Sequence, residues 1–279
     1  MKLASAHVRI GIVAASCLYV FWSGTVSRAQ VQTQPGQMGG MQQLNSRSNV
    51  QQIMQVQGKE QEDYDAFTRV KPEDLDRKIK LGQQFLGKYP SSKYAENIDV
   101  ALMNAYYGKQ DWQNFYTSAD NALALKPDEV DVLVTVGWVI PHVYDPKDPD
   151  AEKLLSKAED YEKRAIPAIA TMSKPDGMKD NQFSAFKMQK VDEAHSALGL
   201  VYFRRADYDN AVKELQQSTQ NTQTPDQTDL FVLGTSLEQL KRHTEAAQTF
   251  DRCAQIPGGF QDQCKQSATR AKALGTQAK

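Results

Sequence analysis

The stretch from residue 197 to residue 217, ALGLVYFRRADYDNAVKELQQ, constrains the fold of this chain more than any other. Gly199 lies on one helical stripe, and Ala211 and Leu215 lie on a second stripe after a short turn. Because Gly199 and Ala211 are small, the two helices can approach each other closely. The stretch therefore predicts a hairpin of two antiparallel helices, and it favours an all-α protein.

The same pattern recurs at a nearly constant period. Gly137 lies thirty-four residues after Met103, and Gly234 lies thirty-five residues after Gly199. A repeat of about 34 residues with the order Leu-Gly, Tyr, Asp-Tyr and Ala resembles the tetratricopeptide repeat (TPR) family. The resemblance extends over about residues 62–274. It implies an all-α TPR solenoid of helical hairpins, wound as a right-handed superhelix. It also implies a non-catalytic scaffold that binds a protein or peptide in its concave groove.

The repeats differ in their regularity. The first complete repeat occupies residues 96–127, and the second is interrupted after Pro141 by an Asp-Pro loop. We place about nine inserted residues in that loop, given the 34-residue period. The first helix of the third repeat is expected to extend from about residue 181 to 205. A capping helix over residues 260–274 closes the array, and residues 275–279 are expected to form a disordered tail.

The first 29 residues have the pattern of a secretory signal peptide. Lys2 and Arg9 precede an apolar run over residues 10–22, and Ala29 ends a short stretch with small residues. We therefore expect cleavage near Ala29 and an exported protein, either periplasmic or secreted. The apolar run is shorter than the ~20 residues that a membrane-spanning helix needs. An uncleaved signal anchor is the alternative, and it is the only membrane contact that the sequence predicts.

Residues 30–61 form a glutamine-rich segment between this signal and the helical region. Their few apolar residues are singly spaced and cannot bury enough surface to offset the cost of ordering the chain. The composition indicates a disordered linker. A glutamine-rich segment that assembles with other copies is the second interpretation.

Charge and motifs favour neither a nucleic-acid partner nor a catalytic or metal site, and the protein or peptide partner is what the TPR resemblance implies. The chain carries 33 Lys and Arg against 34 Asp and Glu, so no basic excess favours a nucleic acid. His7 lies in the signal segment, neither His195 nor His243 is accompanied by a catalytic Ser, Cys or Asp motif, and we predict no catalytic residue. Asp145, Asp148 and Asp150 lack the glycine and distal glutamate of a calcium loop, so no metal or other cofactor is predicted. An enzyme with an unrecognised site at His142 or His195 is the alternative from a different class.

A second resemblance is local. Residues 85–107, FLGKYPSSKYAENIDVALMNAYY, are similar to the entry segment of the periplasmic TPR families BamD and YbgF. This resemblance implies an alternative within the class of binding proteins, namely a subunit of an outer-membrane or cell-wall assembly machine.

The TPR resemblance also assigns residues to partner binding, because the first helix of each hairpin lines the groove in that family. Aromatic residues that stay exposed in such a groove are typical anchors for a partner. The alternative is that the long third-repeat helix or the inserted loop buries several of them. The assigned residues are Asn97, Val100, Asn104, Tyr107, Asp131, Val134, Trp138, Ser196, Leu200, Phe203, Arg204, Phe231, Thr235 and Glu238.

Cys253 and Cys264 are the two cysteines that remain after removal of the signal. An exported protein meets an oxidising compartment, and the phase of the last repeat packs the two helices that carry these residues together. We predict a disulfide that fastens the capping helix to the last hairpin. Two buried free thiols are the alternative.

Overall fold

The computed structural model describes residues 40–220, 222 and 225–277, and among these it describes the side chains of residues 54–276. All regular secondary structure in the described residues is α-helical, which confirms the predicted all-α class. The helices are α1 (Gly40–Thr68), α2 (Leu75–Lys88), α3 (Ala95–Lys109), α4 (Trp112–Leu125), α5 (Val130–His142), α6 (Ala151–Thr171), α7 (Asp180–Arg204), α8 (Tyr208–Gln220), α9 (Gln227–Gln239), α10 (His243–Gln255) and α11 (Gln261–Gln277).

Consecutive helices pack as antiparallel pairs joined by short turns. The closest pairs are α3 with α4, α7 with α8 and α9 with α10, and α11 packs against α10. Helical hairpins that repeat about every 34 residues are typical of TPR-type repeats. The predicted fold of helical hairpins is therefore confirmed. The right-handed superhelix concerns the shape of the whole array and stays a prediction.

The described residues form two compact units, which divide between Val132 and Leu133 within α5. We call the described part up to Val132 the N-terminal unit and the described part from Leu133 onward the C-terminal unit. The sequence predicts one helical domain over residues 62–274, and this division differs from that prediction. Each hairpin of a repeat array contacts only its neighbours, so such an array lacks the single shared core of a globular domain.

Helix α1 begins at Gly40, well before the start near residue 62 that the apolar periodicity predicts. Residues 40–61 of the predicted disordered linker are thus helical, whereas residues 30–39 lie outside the described residues. The side chains of residues 54–59 are exposed. The helix extends there because Gln, Met and Lys are good helix formers, not because it buries an apolar face.

Aromatic side chains join α1 and α2 to the start of α3 in the N-terminal unit. The rings of Tyr64 and Tyr94 stack with their centroids 3.9 Å apart. Phe85 is buried and its ring contacts both tyrosines. Gly82 lets α2 approach α3 closely, since a Cβ atom at this position would lie 2.8 Å from Cδ2 of Leu102.

The hairpin turns share one local chemistry. Gln110, Ala206 and Lys241 follow the first helices of three hairpins, and their left-handed φ angles are 57°, 60° and 60°. In the first of these turns, Asp111 then accepts a hydrogen bond from the backbone nitrogen of Asn114 over 3.2 Å and caps α4. The Asp of the repeat pattern therefore starts the second helix of the hairpin.

The hairpins of the C-terminal unit bring a glycine against one residue of the second helix. Gly199 of α7 meets Leu215 of α8, and Gly234 of α9 meets Phe250 of α10. In both hairpins the second residue follows the glycine by sixteen positions. The small residues that carry the repeat pattern in the sequence are therefore the points of closest helix approach.

The α5–α6 hairpin differs by an insertion. Gly137 meets Glu162, which follows it by twenty-five positions, nine more than in the other two hairpins. The loop 143–150 has eight residues, five more than the three-residue turns of the other two hairpins, and the other four extra residues extend the start of α6. The insertion predicted in the Asp-Pro loop is therefore confirmed in part, because helix α6 takes up four of the nine residues.

The end of the chain is more helical than predicted. Helix α11 begins close to residue 260, as predicted, but it continues to Gln277. Residues 275–277 of the predicted disordered tail are therefore helical, and residues 278–279 lie outside the described part. Gly275 does not end the helix, since it packs beside His243 of α10, whose Cβ lies 3.6 Å from a Cβ built at position 275.

Candidate partner-binding face

The residues that were predicted to line the groove differ in how much of their surface is exposed. Val134, Ser196 and Leu200 are interior residues, with 1%, 6% and 3% of their surface exposed. Their assignment to partner binding is therefore corrected. Of the others, the exposed residues are Asn97, Asn104, Asp131 and Arg204, and the half-buried ones are Val100, Tyr107, Trp138, Phe203, Phe231, Thr235 and Glu238.

The contact between α7 and α9 buries Ser196 and Leu200. The hydroxyl of Ser196 donates a hydrogen bond to Oδ1 of Asp229 over 2.7 Å. Leu200 belongs to the same apolar core as Val232 and Leu233 of α9. The helical phase predicted the correct side of α7, but this side is covered by the first helix of the next hairpin.

Val134 is buried because α5 is apolar on nearly all of its sides. Leu133, Val136 and Val139 of the same helix are buried as well. Trp138 is the half-buried exception on this side of α5.

Trp138 lies in a group of aromatic and basic side chains at the end of α5. We call Trp138, His142, Tyr144 and Arg204 the Trp138 cluster. The indole ring stacks on the His142 imidazole with ring centroids 3.8 Å apart. Nδ1 of His142 donates to the Trp138 carbonyl oxygen over 2.7 Å, because a carbonyl can only accept. Burial lowers the pKa of His142, which favours the neutral imidazole.

Arg204 brings the end of α7 into the cluster. Its Nε donates to the carbonyl oxygen of Pro141 over 3.2 Å. The guanidinium carbon lies 5.4 Å from the centre of the Tyr144 ring, a cation–π arrangement. Partial burial lowers the pKa of Arg204. Among the described residues, no acceptor is paired with its two Nη groups.

Phe203 and Phe231 take part in the packing of the C-terminal unit. The ring of Phe203 meets Tyr208 edge-on at 6.1 Å, and Phe231 stacks on Phe260 at 5.0 Å. The hydroxyl of Thr235 donates to the carbonyl oxygen of Phe231 over 2.8 Å. All of these contacts lie within the C-terminal unit.

Other predicted residues also have partners within their own unit. Glu238 forms an ion pair with Arg270 over 2.8 Å. In the N-terminal unit, the ring of Tyr107 on α3 meets the ring of Trp112 on α4 edge-on, with centroids 6.1 Å apart. These side chains are therefore engaged within their own units.

His195 has a carboxylate partner that the sequence analysis missed. Its Nδ1 lies 2.7 Å from Oε2 of Glu214 on α8. The two residues come from different helices, so no local motif signals the pair. Such a pair resembles part of a general base, but no Ser, Thr or Cys of the described chain is hydrogen-bonded to this ring. The hydroxyl of the adjacent Ser196 is bonded to Asp229 instead.

Cys253 and Cys264 are both buried, and their Cα atoms lie 5.8 Å apart. This separation is within the range of protein disulfides. The two side chains belong to a small apolar cluster that includes Leu230 and joins α9, α10 and α11. The predicted proximity is confirmed, and the covalent bond in the native protein stays a prediction.

Two further searches concern the described residues alone. None of their helices combines the length and the apolar character that crossing a bilayer requires. The same residues contain no group of three or more His, Cys, Asp or Glu side chains placed to hold a metal ion. The predicted signal peptide over residues 1–29 lies outside them.

No protein-family model matches the chain, and no curated protein matches it. Two solved structures to which it is similar are TPR proteins. One is TTC0263, a thermophilic TPR protein of Thermus thermophilus, with 14% identity, a TM-score of 0.45 and coverage of 77% of this chain and 98% of that chain. The other is the P58(IPK) TPR domain, with 10% identity, a TM-score of 0.33 and coverage of 78% and 66%. Because both scores are below 0.5, the fold assignment rests on this chain's own helix pairs.

Proposed function

We propose that this protein is a non-catalytic scaffold that binds a protein or peptide partner, with the Trp138 cluster at the centre of the contact. The observation that carries the proposal is the half-buried indole of Trp138, which stacks on His142 and whose N–H donates to no described residue. Trp, Tyr and Arg are the residues that most often dominate binding energy at interfaces. A ring already held by stacking loses little side-chain freedom on binding.

The cluster favours a partner of definite chemistry. The rings of Trp138 and Tyr144 suit an aliphatic or aromatic side chain. The two Nη groups of Arg204 suit a carboxylate, which a guanidinium can bind with two parallel hydrogen bonds. We infer a partner segment in which an acidic residue lies close to an apolar one.

The proposal includes a location in the cell envelope, either the periplasm or the exterior. The signal pattern of residues 1–29 supports export. The proximity of Cys253 and Cys264 suits an oxidising compartment. The resemblance of residues 85–107 to periplasmic families supports a narrower form of the proposal, a subunit of an outer-membrane or cell-wall assembly machine.

An enzyme is the second candidate function, and the pairing of His195 with Glu214 favours it. The two functions differ in what replacement of His195 does. Loss of cellular function in His195→Gln, with folding and partner binding intact, would favour the enzyme. Unchanged function in His195→Gln, together with loss in Trp138→Ala, would favour the scaffold.

Site-specific photo-cross-linking in the native host tests the proposed contact. A benzophenone-bearing phenylalanine analogue replaces Trp138, and mass spectrometry identifies the adduct. Trp112 is the matched control, because it is a half-buried tryptophan at the start of α4 in the N-terminal unit. We expect one discrete adduct from position 138 and none of that mass from position 112. Equal adducts from both positions, or none from position 138, would contradict the proposal.

A further inference from the structure

Glu162 occupies an interior position that apolar residues fill in the neighbouring hairpins. Its carboxyl packs against Gly137, at the place that Leu215 and Phe250 take in the next two hairpins. The side chain is 0% exposed, and neither of its oxygens has a hydrogen-bond partner among the described residues. Burying an ionised carboxylate without a partner is very costly, so burial favours the protonated form of this group in the folded chain.

The charged groups that face Glu162 do not offset this cost. Helix α5 presents Gly137 to it, and α7 presents Glu193 and Lys190. Nζ of Lys190 lies 3.4 Å from Oε2 of Glu193, so the charge of the lysine is shared with a second carboxylate. Burial raises the pKa of Glu162 well above its ordinary value; Glu193 raises it further, and Lys190 opposes the rise.

Asp229 is a second buried carboxyl against α7, on the side of α9. Its Oδ1 accepts a hydrogen bond from Ser196 of α7 over 2.7 Å, and its Oδ2 accepts one from Ser218 of α8 over 3.0 Å. Two charged groups act on Asp229, and both are acidic. They are Asp226, which is the N-cap residue of α9, and Asp192 of α7. Burial raises the pKa of Asp229 to about 7, although the two serine hydrogen bonds lower it.

Both carboxyls are coupled to one stretch of α7, residues 190–196. Asp229 is hydrogen-bonded to Ser196 there, and the charges of Lys190 and Glu193 act on Glu162, whose helix α6 packs against α7. In the same stretch, His195 is bonded to Glu214 of α8. We propose that protons on Glu162 and Asp229 control the packing of α7 between α6 and α9, so that the C-terminal unit is tightest with both groups protonated and loosens as the pH rises. The proposal is independent of partner binding, because it concerns the unit's own packing.

Linkage gives the sign of this effect. A carboxyl whose pKa is raised on folding keeps its proton at pH values where the unfolded chain has lost it. Across that window the folded state binds more protons, so the free energy of unfolding falls as the pH rises. Each such group raises the unfolding equilibrium constant about tenfold per pH unit. For Asp229, the pH range over which the free energy of unfolding falls ends near its folded-state pKa of about 7. For Glu162, this range extends to higher pH.

Urea unfolding at pH 5 and pH 8, followed by helical circular dichroism, tests the proposal. The variants are Glu162→Gln and Asp229→Asn, which stay neutral at both pH values. The ratio to be compared is the unfolding equilibrium constant at pH 8 divided by the constant at pH 5. We expect this ratio to be at least tenfold smaller in each variant than in the natural protein. Asp160→Asn, a matched exposed carboxyl on α6, should keep the natural ratio. The same ratio in the natural protein and in both variants would overturn the proposal.

Hydrogen exchange provides a second test, which is made first on the natural protein. Protection of residues 151–204 is compared at pH 6 and pH 8 after correction for the intrinsic exchange rate. We expect protection there to fall with pH more than in α10 and α11 of the same sample. A uniform change across all four helices would overturn the proposal. Glu162→Leu, which installs the residue type of Leu215, should abolish the selective loss in α6.

Discussion

Gly199 of α7 and Leu215 of α8 meet more closely than a larger residue at position 199 would allow. A Cβ atom at position 199 would lie 2.7 Å from Cδ2 of Leu215 and 3.3 Å from its backbone nitrogen. Because the second of these neighbours belongs to the helix backbone, the contact sets the separation of the two helices. The hairpin therefore requires a glycine at this position.

Gly199→Ala is expected to destabilise the protein by about 1–3 kcal/mol, because the added methyl group overpacks the contact with Leu215. Urea unfolding followed by helical circular dichroism measures the change. Gly87→Ala is the matched control, since nothing lies within 4 Å of a Cβ atom at that helical position. Alanine favours a helix over glycine, so the control should be neutral or more stable by up to ~1 kcal/mol. Equal losses at both positions would contradict the close approach at Gly199.

Cys253 and Cys264 are expected to form a disulfide in the exported protein. Thiol titration of the unfolded, unreduced protein should find no free thiol. The bond closes a loop with a sequence separation of 11 residues, so it is worth about 3 kcal/mol in the chain-entropy model. Reduction should therefore lower the stability of the natural protein but leave the Cys253→Ala, Cys264→Ala double variant unchanged. Two free thiols per chain would contradict the bond and leave α11 held by packing alone.

Export predicts a defined mature N-terminus. The apolar run over residues 10–22 is short, and the small-residue pattern ends at Ala29, so the mature chain should begin near Gln30. Intact-mass measurement of the protein from its native host checks this. A mass that includes residues 1–29 would show that the signal is retained as an anchor.

The hairpins were predictable because close helix packing needs a small residue at a regular position. The bounds of α7 and the insertion between Gly137 and Glu162 follow from that period. The start of α1 at Gly40 does not, because periodicity detects a buried stripe and the side chains of residues 54–59 are exposed.

The site was less predictable than the fold. Helical phase shows which side of α7 carries Ser196 and Leu200, but it does not show that α9 covers this side. The pairing of His195 with Glu214 joins two helices, so its spacing in the sequence carries no signal. Contacts between hairpins decide both outcomes, and a single repeat pattern does not encode them.

Trp138→Ala is the variant that tests the scaffold most directly, once cross-linking has identified the partner. Affinity for the purified partner and the urea unfolding midpoint are measured on the same preparations, with Trp112→Ala as the matched control. A central aromatic anchor is worth roughly 2 kcal/mol or more, which corresponds to about a thirtyfold loss of affinity. We predict that loss in Trp138→Ala with little change in the midpoint, and unchanged affinity in Trp112→Ala. A lower midpoint with unchanged affinity in Trp138→Ala would show that this ring is only part of the core, and it would contradict the proposed function.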